Sequence, residues 1–281
     1  MQATTHTPKT FQAVIHPEKF PPFPFVLAPQ DFEEYWQTNR AWVLANMCHT
    51  AYHSQKTIFL LMEKMGAEET RIYDRNGAQA FLAVWRNQAI LTFRGTQPFE
   101  KKKVPSGMAK CIDPFLEQSL KIHLPDEYNS FLSNDIVADL MLGLTPVGQA
   151  KVHRGFLGEF TKIWEPLILP DLQTLTDPQN IPVSVTGHSL GGAMATLAGI
   201  HKNFHEVVTF GEPRVGHSIS NEFKSQQHLR FINGNDPIPK LPPKWWPFSY
   251  THHGRKKKIM VPDGSDVIYD HSILYYAQNL A

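Results

Sequence analysis

An α/β fold, with a mostly parallel central sheet flanked by helices on both faces, is the architecture this sequence predicts. Three observations carry the prediction. Short apolar runs alternate with helical stretches through the second half of the chain, the rhythm of strand–helix–strand units. The runs "IPVSVTG" (residues 181–187) and "HEVVTFG" (205–211) read as strands on either side of a glycine- and alanine-rich helical run, "LGGAMATLAGIHKN" (190–203). And 42% of the 281 residues are hydrophobic while only 19% are charged, which supports a sizeable core and argues against a disordered chain.

The elements are justified in order. The proline-rich first 30 residues, ending in "FPPFPFVLAP", predict an extended arm with no helix. Asp31 is positioned as an N-cap for a helix in which Tyr35, Trp36, Val43, Leu44, Met47 and Tyr52 recur at helical spacing. A second helix is expected over 56–65. "QAFLAVWRNQAILTFRGT" (79–96) predicts two strands in a hairpin turning at Arg86 and Asn87. Residues 97–135 mix proline, lysines and aromatics and read as an insertion, after which "DIVADLML" (135–142) resumes apolar spacing. Residues 151–164 look helical after Gly155. Two more strands follow in "HLRFING" (228–234) and "KKKIMVP" (256–262), and a last helix starts near His271. There are no repeats and no clean break, so one domain is expected over 1–281, with an arm at 1–30 and an insertion at 97–134.

Bulk charge and cysteine content exclude several classes. A net charge of +1 provides no global field to recruit nucleic acid. Cys48 and Cys111 fit no metal spacing and are too few for a disulfide scaffold, so two free thiols are expected. The N-terminus lacks a basic start followed by an apolar run, and no apolar run is long enough to span a bilayer. The expectation is a soluble protein, cytoplasmic or exported by a route other than Sec.

The chemistry-bearing stretch is "VTGHSLGGA" (185–193). It places Ser189 in G-x-S-x-G, between a strand marked by Val183 and Val185 and the helical run that follows. A strand-to-helix turn with small residues at 187 and 191 lifts the serine hydroxyl above the sheet. The same turn points the Leu190 backbone N–H into that space, at a helix N-terminus.

Here the chain resembles the class 3, or Rhizomucor miehei-like, lipase family. "LTFRGT" (91–96), "DIVADL" (135–140), "KVHRGFL" (151–157), "VTGHSLGGA" (185–193), "TFGEPRVG" (209–216), "NDPIPKLPP" (235–243) and "DHSILYY" (270–276) occur in the family's order. The resemblance implies an α/β-hydrolase fold and ester hydrolysis at a lipid–water interface.

A nucleophilic serine needs a base, and the base an orienting carboxylate, in the chain order Ser, Asp or Glu, His. Asp236, Asp263, Asp266 and Asp270 lie downstream of Ser189. Asp236 follows the strand "LRFI", at the C-terminal end where sites of open α/β sheets gather, and it matches the family's aspartate. Seven histidines compete as the base: His201, His205, His217, His228, His252, His253 and His271. The resemblance selects His271, in "DHSILYY". His188, beside the nucleophile, reads as packing. By the same resemblance Thr96 is the second oxyanion donor alongside Leu190, and Asp139 orients the Thr96 hydroxyl. Arg94 and Arg214 read as structural, bonding loose carbonyls at turns, and "TFGEPRVG" as scaffold. The mechanism requires no cofactor or metal.

Residues 97–134 form a longer segment than the family's short lid helix. An enlarged lid is expected, with Phe115, Leu116, Leu120, Ile122, Phe131 and Leu132 over the acyl site. The basic runs at 101–103 and 255–258, near Trp245, Trp246 and Phe248, read first as solvated loops, with anchoring at a membrane surface as the second reading. The leading function is a triacylglycerol lipase, a serine carboxylic ester hydrolase whose partners are an acylglycerol or other ester substrate and, transiently, a lipid interface. A monomer with no nucleic-acid partner is expected. Phospholipase A1 and a soluble-ester, feruloyl-type esterase share the same catalytic set and stand as alternatives. A catalytically silent lipid-binding hydrolase fold would be expected to lack one of the residues named.

Overall fold

Strand β6 (Val183–His188) is the centre of the molecule, buried at every residue. A computed structural model of the chain describes residues 27–95, 143–242, 244, 249–260 and 270–281. Around β6 these residues build a seven-stranded sheet in the order β1-β2-β3-β6-β7-β9-β10. Its strands are β1 (Glu69–Arg75), β2 (Ala78–Trp85), β3 (Gln88–Phe93), β6, β7 (Glu206–Phe210), β9 (His228–Asn233) and β10 (Arg255–Ile259). The first three are antiparallel neighbours, and every pairing from β3 to β10 is parallel. A second, antiparallel sheet joins β4 (Leu144–Val147), β5 (Ala150–His153) and β8 (Gly216–His217).

Helices cover both faces of the large sheet, as its buried strands require. On one face Leu82, Val84, Leu91, Phe93 and Val185 pack against α4 (Arg154–Ile163) and α6 (Leu190–His201). On the other, Phe81, Ala83, Ile90, Val208 and Phe210 pack against α1 (Pro29–Thr38), α2 (Arg40–Thr50), α3 (Gln55–Lys64) and α7 (Ile273–Leu280). Helix α4 is amphipathic: Phe156, Phe160 and Ile163 recur on its buried stripe. Truncating a fully buried ring such as Phe160 to alanine costs about 3–5 kcal/mol. A π-helical turn at Trp164–Ile168 links α4 to α5 (Leu169–Leu175). Helix α6 is buried at every position from Gly191 to Ile200, and its small residues let it lie close to the sheet.

Several sequence expectations change. The first helix starts at Pro29, capped by Ala28, so residues 29 and 30 belong to a helix and not to the arm, and Asp31 sits inside the first turn. Proline's fixed φ suits a first helical turn, which moves the start three residues back. The continuous helix expected after Asp31 is two helices. At Asn39 the backbone leaves the helical region (φ −144°, ψ 59°), and the side chain accepts from the Trp42 N–H to start α2. The hairpin at Arg86 and Asn87 forms as expected, joined by an unexpected partner: β1 pairs with β2 across Asn76 and Gly77, both at positive φ. Asn-Gly is the residue pair such a turn favours. The basic run at 255–258 is not a loop but most of β10. The arm up to residue 26, the insertion at 97–134, Lys101, Lys102 and Lys103, Cys111, Trp245, Trp246 and Phe248 lie outside the described residues. Cys48 is a buried free thiol, 3.2 Å from the Thr186 hydroxyl, and burial pushes it up to about 12.

Candidate active site

Ser189 occupies the turn between β6 and α6, with φ 57° and ψ −125°. A side chain held at such a φ costs of order 1–3 kcal/mol, and the surroundings must enforce it. Two contacts do so. The Ser189 N–H donates to the Phe210 carbonyl at 3.0 Å. The flanking glycines allow a crossing nothing larger could make: a Cβ on Gly187 would meet the Gly191 carbonyl oxygen at 2.1 Å, and one on Gly191 would meet that of Phe93 at 2.2 Å. Leu190 is the first residue of α6, so its N–H is one of the amides with no acceptor inside the helix.

Two other elements deliver a histidine and a carboxylate to this point. Asp236 lies in the turn after β9, and His271 in the segment entering α7. His271 Nδ1 is 3.0 and 2.9 Å from the two Asp236 carboxylate oxygens, and Nε2 is 3.1 Å from Ser189 Oγ. A carboxylate only accepts, so Nδ1 carries the proton and Nε2 faces the serine hydroxyl as an acceptor. Asp236 is held from two further directions. Oδ1 accepts the Ile238 N–H at 2.9 Å, and Oδ2 accepts the Tyr276 hydroxyl at 2.6 Å. Burial, then the charge of Asp236, raises the Tyr276 phenol well above its ordinary value, so it stays a donor. All three triad positions are buried.

His188 also packs here, its ring tilted against that of His271 with centroids 4.6 Å apart. Its Nε2 lies 2.7 Å from the His271 carbonyl oxygen and its Nδ1 3.0 Å from the Tyr52 hydroxyl. The carbonyl can only accept, so Nε2 bears the hydrogen. Burial, then the neighbouring His271, holds the ring well below its ordinary pKa. A neutral ring leaves Nδ1 to accept from Tyr52.

Four of these features have no local signature strong enough to read. Tyr276 was visible only as the aromatic of "DHSILYY". His188, read as packing, also bonds the backbone of His271. Asp270, a competitor for the carboxylate role, accepts the Asn235 N–H at 2.7 Å and so ties the Asp236 turn to the His271 segment. Gly211, inside a stretch read as scaffold, takes φ 60°, and a Cβ there would lie 2.8 Å from Asp236 Oδ2 and 3.0 Å from His271 Nδ1. Its signal was a glycine directly after a buried strand.

Three of the competing histidines are engaged elsewhere. His228 lies 3.3 Å from buried Glu212, His253 faces His228 at 3.1 Å, and His252 donates to the Pro239 carbonyl at 2.7 Å. Arg214 bonds the Lys240 and Pro242 carbonyls, as its turn position predicted, whereas Arg94 bonds the Gln79 side chain. Thr96, Asp139, Asp263 and Asp266 lie outside the described residues. Among the described residues no three His, Cys, Asp or Glu side chains are placed to hold a metal ion.

The family model for lipase (class 3) matches residues 90–245, more than half of the chain. The chain belongs to the class 3 lipase family. The class 3 match contains Ser189 and Asp236 and stops before His271. Lipase A of Sodiomyces alcalophilus is 32% identical over 146 residues, 43% of this chain and 34% of that protein. Secreted mono- and diacylglycerol lipase 1 of Fusarium solani is 35% identical over 108 residues, 36% of this chain and 32% of that protein. The chain therefore spans about a third of the length of these class 3 relatives. The solved structure of Rhizomucor miehei triacylglyceride lipase covers more: 84% of this chain and 82% of that one, with a TM-score of 0.52 at 21% identity. That likeness shows the α/β-hydrolase fold. No helix among the described residues is long and apolar enough to cross a membrane.

Proposed function

We propose that the chain is a serine carboxylic ester hydrolase that cleaves acylglycerols at a lipid–water interface through an acyl-enzyme. The observation that carries the reading is the continuous relay from Ser189 Oγ through both nitrogens of His271 to Asp236, with contacts of 3.1 Å and 2.9–3.0 Å. His271 Nε2 takes the Ser189 proton as the oxygen attacks the ester carbonyl. Asp236 holds the tautomer and stabilises the imidazolium. The oxyanion falls to the Leu190 N–H and to Thr96, with Asp139 orienting the Thr96 hydroxyl. The alcohol leaves with the proton from His271, and water, activated by the same nitrogen, releases the acid. Acylglycerol as substrate follows the names of the class 3 relatives.

The test is a chain-length series of p-nitrophenyl esters alongside emulsified triacylglycerol and phospholipid, run on the native protein and on Ser189→Ala. The proposal expects turnover that rises on the emulsified acylglycerol and disappears in the variant. Turnover confined to short soluble esters would keep the catalytic relay and reject the interface. Native turnover no higher than that of Ser189→Ala would reject the enzyme.

A further inference from the structure

Among the described residues strand β10 is an edge of the large sheet, and it is made almost wholly of cations. Arg255, Lys256, Lys257 and Lys258 are all exposed, on both faces of the strand, while the chain as a whole carries a net charge of only +1. Among the described residues none of the four pairs with a carboxylate. Solvated lysines also keep a free edge from pairing with another strand, but this patch has a direction that such a guard does not need. The parallel register with β9 runs from Arg255 opposite Leu229 to Ile259 opposite Asn233, and the Gly234 N–H donates to the Ile259 carbonyl at 3.3 Å. Asn233 and Gly234 lead straight into the turn that carries Asp236. The strand therefore ends at the rim bearing Ser189 and Asp236, and the next residue, Met260, is 82% exposed there.

We infer that β10 and Met260 form a docking surface for an anionic lipid layer, which holds the catalytic end of the sheet against the lipid. The cations supply the attraction and Met260 an apolar side chain at the leading end. Cations gathered near a negatively charged bilayer surface each add to binding, and the attraction weakens as salt shortens the Debye length. The inference rests on the proposed lipid-directed activity for its purpose but not for its test.

The experiment is co-sedimentation with phosphatidylcholine vesicles, with and without phosphatidylglycerol, comparing native protein with the triple variant K256Q/K257Q/K258Q. Both are also assayed on a soluble short-chain p-nitrophenyl ester and by thermal melting. Native protein is expected on the anionic vesicles and not on the neutral ones, with binding lost at high salt. The triple variant should bind on the order of 100-fold more weakly while keeping its melting temperature and its soluble-ester turnover. Lys257→Glu alone should weaken binding less than the triple variant, which guards against a global effect of three substitutions. Equal binding to both vesicle types, or undiminished binding by the triple variant, would overturn the docking surface. The two proposals fail separately: anionic binding without ester turnover removes the enzyme and keeps the surface, whereas ester turnover without vesicle binding does the reverse.

Discussion

Among the described residues two buried histidine–carboxylate pairs stand out, and one of the two has the makings of a catalytic site. His271 and Asp236 are 2.9 Å apart; His228 and Glu212 are 3.3 Å apart. Both carboxylates are almost wholly enclosed. Glu212 also accepts the hydroxyls of Thr196 and Thr209 at 2.7 and 2.6 Å, and Asp236 accepts two further donors of its own. What separates the pairs is the far nitrogen of each ring. That of His271 meets Ser189, on a turn held at positive φ. That of His228 meets His253. A buried histidine beside a carboxylate is thus a common structural unit here; an attached nucleophile makes it a candidate for chemistry. Burial alone would push Glu212 up, but His228, Arg230 and His252 outweigh it and hold the acid at about 2, the behaviour of a permanent counter-ion inside a scaffold.

The contrast can be broken most directly by mutation at each pair. Ser189→Ala should lower kcat on a soluble ester by on the order of 10⁴-fold or more, and Asp236→Asn by about 10⁴-fold through loss of the required tautomer. His228→Gln should leave kcat of the folded protein nearly unchanged. Loss of turnover in His228→Gln with an intact melting transition would erase the distinction.

The next largest effect is on stability. Glu212→Gln removes the buried charge that accepts from Thr196 and Thr209 and faces His228, and should cost about 1–3 kcal/mol in urea denaturation, with kcat of the remaining folded protein little altered. A smaller effect is expected where the His271–Asp236 pair is braced. Tyr276→Phe removes the 2.6 Å bond to Asp236 and should reduce kcat by roughly 10- to 100-fold, since a hydrogen bond to a charged group contributes about 1.5–3 kcal/mol. KM should stay put, because Tyr276 faces the aspartate and not the ester.

The gentlest test is acid. Burial is the largest cause holding His49, His252 and His253 at about 4 against an ordinary 6.5, reinforced by His53, Arg230 and His228 respectively. Their neutral forms favour the fold, so the stability they contribute is complete above pH 6.5 and drains away as pH falls from 6.5 toward 4. Glu212 keeps its contribution lower, losing it only as pH falls from about 4.5 toward 2. Thermal melts at stepped pH should show both stages, and His252→Gln should make the first one shallower. A melting temperature flat between pH 6.5 and 4 would contradict the assignment.

Much of this was legible in the residue string, for a local reason. The Gly187-x-Ser189-x-Gly191 turn is a steric requirement among near neighbours, and alternating strands and helices declare themselves by composition. The strand at 69–75 went unread because its alternation is weak, although Asn76-Gly77 marked the turn. The break at Asn39 was hidden because the apolar spacing runs straight through it, while the asparagine side chain competes for the backbone.

Choosing among seven histidines needed either a family likeness or three dimensions. Asp236 meets a histidine 35 positions away, that histidine meets a serine 82 positions away, and neither separation leaves a periodic trace. The same holds for Tyr276 bracing Asp236, for Gly211 leaving room beside the pair, and for the exposed β10 ending at the rim that bears Ser189. Local sterics and periodicity are written in adjacent residues, so the turn, the strands and the α/β class follow from the chain alone. Which polar groups become partners is decided by packing, where parallel strands carry distant residues to one end of a sheet and burial compels each to find a bond.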